Sequence, residues 1–309
     1  MQIQFLEAKS IAASRERSMR KELESIQKEF KVLPKLGILL VTGDQVSMAM
    51  SDKVKRLGES IGFEMYLDQV AERNVDRSFE KKLATMVEDA SIWGIWVLTP
   101  RFDFPPYDLI TKYLPAEKDL SGSHHLLLGK YMFGKPAVVP PKVRAVHDIL
   151  EEYVDNYLKK GVVIISTKTD GTRGFFGKYL AGYLYDIGAR VTLRNVMSTS
   201  TKKDEVIQLY NPLGEIIVTA LNTSNVISDT HLKKGSWIID TGYNFQRNRL
   251  CGDVNITSVK DKCAAITPVP GGVDTLIPIE VLVNAIDIVR ARTGIPRVAA
   301  GRRRMGRQG

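Results

Sequence analysis

Short apolar runs alternate with stretches of helical period, and that alternation limits the possible folds more than any other feature. Leu36 to Val41 (LGILLV) is an uninterrupted apolar run closed by Thr42-Gly43-Asp44, the pattern of a strand buried on both faces and then a turn. The next segment reads as a helix to Ile61, stopped by Gly62, with Ser47 as its expected N-cap. Phe63 to Leu67 reads as a second strand, Asp76 to Glu88 as a helix, and Gly94 to Leu98 (GIWVL) as a third strand. Strand, helix, strand, helix, strand implies βαβ units, so the expected class is α/β with a parallel sheet.

The rest of the chain repeats the theme. Ala8 to Phe30 reads as a helix stopped by Pro34. Val146 to Lys159 reads as helical, Val162 to Ile165 (VVII) as a buried strand, and a glycine-rich stretch then leads into a helix to about Tyr185 and Gly188. Arg190 to Leu193, Glu215 to Ala220 and Ser236 to Asp240 read as strands, and a last long helix runs from near Leu276 to Gly294. A length of 309 residues predicts about two domains. The stiff pair Pro140-Pro141 marks the expected boundary.

Charge and cysteine usage exclude several classes. The net charge is +9, but Arg297, Arg302, Arg303, Arg304 and Arg307 supply five of those charges, leaving +4 for the first 296 residues. A solvated terminal tail over 297–309 accounts for them more simply than a nucleic-acid contact. Cys251 and Cys263 match no metal or disulfide spacing and are expected to be reduced and buried. No apolar run reaches membrane-spanning length, and the first twenty residues lack the apolar core of a secretion signal, so a cytoplasmic protein is expected. His124-His125 is not read as a metal pair, His147 and His231 read as helix-surface residues, and Trp93 and Trp96 read as core.

Three segments point to chemistry. After the VVII strand comes Ser166-Thr167-Lys168-Thr169-Asp170-Gly171-Thr172-Arg173-Gly174-Phe175-Phe176-Gly177. Glycines between a strand and a helix N-terminus let backbone N–H groups approach a phosphate. The next strand ends at Arg194-Asn195, where an NAD site usually places an acid; cations there favour the 2′-phosphate of NADP, with NAD possible. Ile266-Thr267-Pro268-Val269-Pro270-Gly271-Gly272-Val273 packs two prolines and two glycines into one loop ahead of the last helix. Upstream lie Ile239-Asp240-Thr241-Gly242-Tyr243-Asn244 and Leu250-Cys251-Gly252-Asp253-Val254.

ITPVPGGV, the GDV triplet and the IIDTG strand end together resemble the methylenetetrahydrofolate dehydrogenase/cyclohydrolase (FolD) family. The resemblance covers most of the chain. Leu39 to Phe63 is similar to the family's first strand and helix, Gly94 to Pro100 stands where the family has G-I-L-V-Q-L-P, and Lys118 to Gly122 stands where it has K-D-V-D-G. It implies a substrate domain over 1–140, completed by the returning final helix at 276–296. It also implies a Rossmann-like NADP-binding domain over 141–275, a folate-type substrate and a homodimer through the cofactor domains; from hydropathy and charge, no membrane and no nucleic-acid partner is expected.

The departures are informative. The family's catalytic helix carries Tyr and Lys at i and i+4; those places hold Met50 and Val54. Lys53 and Lys55 flank the site, each rotated by about 100° on a helix. The family's Gln stands at Leu98 and its pterin-holding Asp at Ser121, with Glu117 and Asp119 close enough in sequence to substitute. The expected substrate side is therefore Met50, Val54, Leu98, Ser121, Pro270 and Gly271. The expected cofactor side is Thr167, Lys168, Gly171, Gly174, Gly177, Arg194, Asn195, Gly242 and Thr275. Hydride transfer needs mainly two positioned rings, whereas hydrolysis needs a group that moves protons. The expectation is an NADP-dependent methylenetetrahydrofolate dehydrogenase with weak or no cyclohydrolase activity. The alternatives are a silent FolD-like binding protein and a dehydrogenase for a different one-carbon carrier.

Overall fold

The LGILLV run lies inside β2 (Lys35–Thr42), flanked by β3 (Glu64–Ala71) and β4 (Ile92–Leu98) in a parallel sheet ordered β3-β2-β4. The structure is a computed structural model that describes residues 3–43, 45–71, 75–98, 107–134, 138–168, 175–197, 215–246 and 249–295. Residues on β2 alternate between two cores, as strand pleating requires. Leu36 and Ile38 face α1 (Lys9–Phe30) and α2 (Gln45–Ile61); Leu39 and Val41 face Phe79, Leu83 and Met86 of α3 (Val75–Glu88). Ser47 does not cap α2. It lies in the first turn and is buried, on the same stripe as Met50, Ser51, Val54 and Ile61.

α4 (Tyr107–Tyr113) and α5 (His125–Met132) complete the first unit. α6 (Pro141–Tyr153) begins five residues earlier than expected, because Pro141 takes the first helical position, where its missing N–H costs nothing. It also ends sooner: Val154 is extended and residues 157–159 form a separate 3₁₀ turn. Beyond it lie β5 (Gly161–Lys168), α7 (Phe175–Asp186), β6 (Arg190–Met197), β7 (Ile216–Ala220) and β8 (Ser236–Asp240). The hairpin β9 (Asn244–Gln246) and β10 (Arg249–Cys251), α8 (Ile256–Val259), β11 (Cys263–Ile266) and α9 (Val273–Thr293) follow. The second sheet is parallel throughout and ordered β1-β11-β8-β7-β5-β6, where β1 is Gln4–Phe5.

The boundary expected at 1–140 is thus crossed at the start of the chain. Gln4 and Phe5 pair with Ala265 and Ile266, and the fully buried Leu6 and Ala8 belong to the second unit's core. α9 starts at Val273, three residues ahead of the expected position. Its Val273 and Leu276 pack on the second unit, whereas Ile279, Leu282, Ala285, Ile286 and Val289 pack in the first. Asn284 pins the crossing: Nδ2 donates to the carbonyls of Leu120 (2.9 Å) and Val139 (2.8 Å), and Oδ1 accepts from Arg144 (3.0 Å).

A buried ionic network ties α1, α6 and α9 together. Arg15 pairs with Asp148 at 2.6 Å, Arg144 with Glu280 at 3.6 Å and Asp287 at 3.3 Å, and Arg290 with Glu22. Glu280 is fully buried. Burial and the neighbouring Asp148 carboxylate push it up to about 8, against the pull of Arg144 and Arg15.

Candidate active site at the junction of the two sheets

On the first-sheet side, α2 presents Met50 and Val54 inward. They are 6% and 1% exposed and share one apolar cluster with Trp96, Leu120, Ile279 and Leu282. Leu98, at the end of β4, is half-buried against this cluster, as are Ile277 of α9 and Tyr243 from the loop after β8. The structure therefore brings Met50, Val54 and Leu98 together with Tyr243, which sequence reasoning missed. Lys55 pairs with Glu59 at 3.8 Å, away from the cluster. Lys53 is exposed, and its charge favours the ionised form of Asp274 against the burial that pushes that carboxyl up.

Asp119 cannot substitute for a carboxylate at position 121. It is 1% exposed and both its oxygens are turned into its own loop. Oδ1 accepts the Ser121 amide (2.7 Å) and hydroxyl (2.5 Å), and Oδ2 accepts the amides of Ser123 (3.0 Å) and His124 (2.9 Å). Burial raises its pKa and these four donors oppose the rise. The single hydroxyl hydrogen of Ser121 is thus spent on Asp119, and its oxygen lies 2.5 Å from Ser123 Oγ. Glu117 is exposed. His124 is buried and caps α5, its Nδ1 accepting the Leu126 amide at 3.1 Å. Burial and the adjacent His125 lower its pKa.

On the second-sheet side the strand order decides the location. The chain passes from β5 outward to β6, then returns to β7 on the other flank of β5. In open parallel sheets such a reversal opens a crevice at the carboxyl ends of the strands, where ligands bind. Thr167 and Lys168 end β5, Thr167 half-buried. Gly171 and Gly174 lie outside the described residues. Gly177, in the first turn of α7, is required by close approach: a Cβ there would run into Ser166 Oγ on β5. Arg194 is half-buried and Asn195 exposed near the end of β6, where a cation fits a 2′-phosphate.

The loop into α9 closes the arrangement. Val269–Pro270 is cis, Pro270 is exposed and Gly271 half-buried. Asp274 Oδ1 accepts the amides of Gly271 (2.9 Å) and Gly272 (3.1 Å), a role the sequence did not reveal. Thr275, half-buried, follows in the first turn of α9. Behind Gly242, Asp240 and Asp253 are 2% and 0% exposed. Burial and the charge of Asp253 push Asp240 up to about 7.

The remaining sequence candidates are structural. His231 is buried, not on a helix surface, and its Nδ1 accepts the Ser228 amide at 2.9 Å in a 3₁₀ turn. His147 is half-buried on α6, its ring edge against Tyr183. Trp96 is core and Trp93 half-buried beneath Arg292. Cys263 is buried, whereas Cys251 is only partly so; both are free. Arg297 and the tail after it lie outside the described residues. Among the described residues no helix is long and apolar enough to cross a membrane.

Comparison with known proteins gives this geometry its context. Residues 140–293 match the model of the tetrahydrofolate dehydrogenase/cyclohydrolase NAD(P)-binding domain. The bifunctional protein FolD of Bacillus subtilis (strain 168) is 27% identical over 270 residues, 87% of this chain and 91% of the relative. That of Caldanaerobacter subterraneus is 29% identical over 292 residues, 93% and 97% respectively. Among solved structures, Trypanosoma brucei methylenetetrahydrofolate dehydrogenase-cyclohydrolase, complexed with NADP cofactor and inhibitor, superposes with a TM-score of 0.81 at 21% identity. That match covers 95% of this chain and 99% of the other. The NAD-dependent methylenetetrahydrofolate dehydrogenase of Saccharomyces cerevisiae gives a TM-score of 0.75 at 17% identity, covering 95% and 99%. With its parallel dinucleotide-type sheet, its returning final helix and its GDV and PVPGGV segments, the chain belongs to the tetrahydrofolate dehydrogenase/cyclohydrolase (FolD) family.

Proposed function

We propose that this protein is an NADP-dependent dehydrogenase that oxidises methylenetetrahydrofolate, or a related pterin carrier, to the methenyl form with little or no cyclohydrolase activity. In this reading the unit around β2–β4, with α9, holds the substrate and residues 141–275 hold the cofactor. Two chains pair through their cofactor units.

The observation that carries the reading is Val54. Its side chain is 1% exposed among apolar neighbours at the position where the resemblance expects the ammonium of the hydrolytic step. An isopropyl group can neither relay a proton nor stabilise developing charge. Hydride transfer makes no such demand, since the dinucleotide supplies the hydride acceptor and the protein supplies alignment. Arg194 and Asn195 would hold the 2′-phosphate, with the segment from Thr167 through Gly171 and Gly174 and the start of α7 at the pyrophosphate. Gly242 and Thr275 would border the nicotinamide. Leu98 and Pro270 would press apolar surface on the pterin side, and Met50 and Val54, buried in the cluster, would help exclude water.

The test is NADPH formation from methylenetetrahydrofolate. Turnover with NADP is the expected result, and none at millimolar substrate would retire the reading. A second reading, a silent binding protein, is favoured by the Ser121 hydroxyl being spent inside its own loop. Calorimetry separates the two: a silent protein binds NADP without tetrahydrofolate, or binds neither.

A further inference from the structure

Asp240 ends β8 and Asp253 follows β10, and both are buried at the carboxyl end of the second sheet. Asp253 gathers the loops that leave two neighbouring strands. Its Oδ2 accepts the Leu221 amide at 2.7 Å, and its Oδ1 accepts the Thr223 amide at 3.1 Å and the Asn244 side-chain amide at 3.0 Å. Asp240 stands behind it. Oδ1 accepts the Thr219 hydroxyl (3.1 Å) and the amides of Gly242 (2.8 Å) and Asp253 (3.1 Å); Oδ2 accepts the Val254 amide (3.0 Å).

The segment held this way turns sharply. Asn222 and Asn225 have φ of 52° and 55°, in the left-handed region that asparagine enters more readily than other residues with a Cβ. It leaves β7 at the point where strand order reverses, so it borders the crevice. Gly242 faces the same carboxylate closely enough that a Cβ would run into Asp253 Oδ1. With the adenosine half of a dinucleotide over β5 and β6, the other half extends over the ends of β7 and β8.

We propose that Asp253, braced by Asp240, is a positioning residue for the dinucleotide. Asp253 fixes the backbone of residues 221–223, and Asp240 that of Gly242, beside the nicotinamide half without touching the cofactor. The inference rests on the dinucleotide reading above and adds which groups shape that half of the site.

The experiment compares the dissociation constants of NADP and 2′,5′-ADP for the wild type, Asp253→Asn and Asn244→Ala. 2′,5′-ADP carries only the adenosine half. Asp253→Asn puts a donor in place of one of two oxygens that each face a donor, and the NADP constant is expected to rise about tenfold or more. The constant for 2′,5′-ADP is expected to stay within about twofold. Asn244→Ala removes one donor and is expected to give the same split with a smaller rise, so it carries the test if Asp253→Asn does not fold. Equal losses for both ligands, or no loss for either, overturn the proposal. A wild type that binds neither ligand overturns the dinucleotide reading itself, and the positioning role with it.

Discussion

The first-sheet and second-sheet sides of the site are built by opposite means. On the first, α2 turns Met50 and Val54 into an apolar cluster, and the polar groups nearby, Asp119 and Ser121, bond to one another. On the second, loops at the strand ends are organised by buried carboxylates that gather backbone amides from segments far apart in sequence. Apolar packing can hold a flat ring and keep it dry but cannot move a proton. A web of backbone hydrogen bonds fixes the path of a loop, which a dinucleotide site needs. The difference teaches that binding a nucleotide and hydrolysing a methenyl group make separable demands on this fold.

The sharpest way to break the contrast is to put the missing charge back. Val54→Lys alone inserts an ammonium into an apolar cluster and is expected to destabilise the protein by about 3–5 kcal/mol, read from denaturant unfolding. Adding Leu98→Gln supplies a polar partner, recovers part of that loss and brings methenyl hydrolysis into being. An unchanged hydrolysis rate in a folded double variant would mean the wall is not aligned as described.

Changing pH probes the helix network and the second side at once. Glu280, ordinarily near 4.5, is pushed up to about 8, and Asp240, ordinarily near 3.8, to about 7. Each carboxyl binds its proton more tightly folded than unfolded, so its stabilising contribution is complete below the unfolded value and is lost as pH rises through the folded one. Unfolding free energy should fall by a few kcal/mol between about pH 5 and pH 8.5. Glu280→Gln should flatten the upper part of that slope. A stability that rises over this window would contradict the upward shift of both groups.

Cofactor choice tests the second side more finely. Arg194→Ser is expected to weaken NADP binding about tenfold while leaving NAD binding nearly unchanged, measured by titration. The smallest effect belongs to Lys53→Met. Because Lys53 is exposed and only its charge reaches Asp274, stability should shift by no more than about 0.5 kcal/mol. Loss of hydrolysis in that variant would identify Lys53 as the amine the first side otherwise lacks.

Much of the fold was legible in the residues. The runs that became β2, β4, β5, β7 and β8 are apolar and bounded by turn signals, because parallel strands buried on both faces must be. Two-residue β1, the β9–β10 hairpin and four-residue β11 were not legible, since elements that short are set by the strand they meet rather than by periodicity of their own. α4 and α5 are also too short for a helical period to show. At the site, the strand-to-helix junction between β5 and α7 and the apolar character of positions 50, 54 and 98 could be read from the residues. The direction of the Asp119 carboxylate could not, because a short polar side chain bonds whichever amides its own loop presents. The D-x-S-x-S spacing from Asp119 to Ser123 was the available signal. The roles of Asp240 and Asp253 needed the tertiary structure, because their partners run from Thr219 to Val254.

The central claim is best tested by following NADPH and methenyltetrahydrofolate together as the wild-type enzyme turns over methylenetetrahydrofolate. If the wall around Val54 is as inert as its chemistry implies, methenyltetrahydrofolate accumulates mole for mole with NADPH and decays no faster than in buffer. Methenyltetrahydrofolate consumed by the enzyme as quickly as it forms would contradict the account.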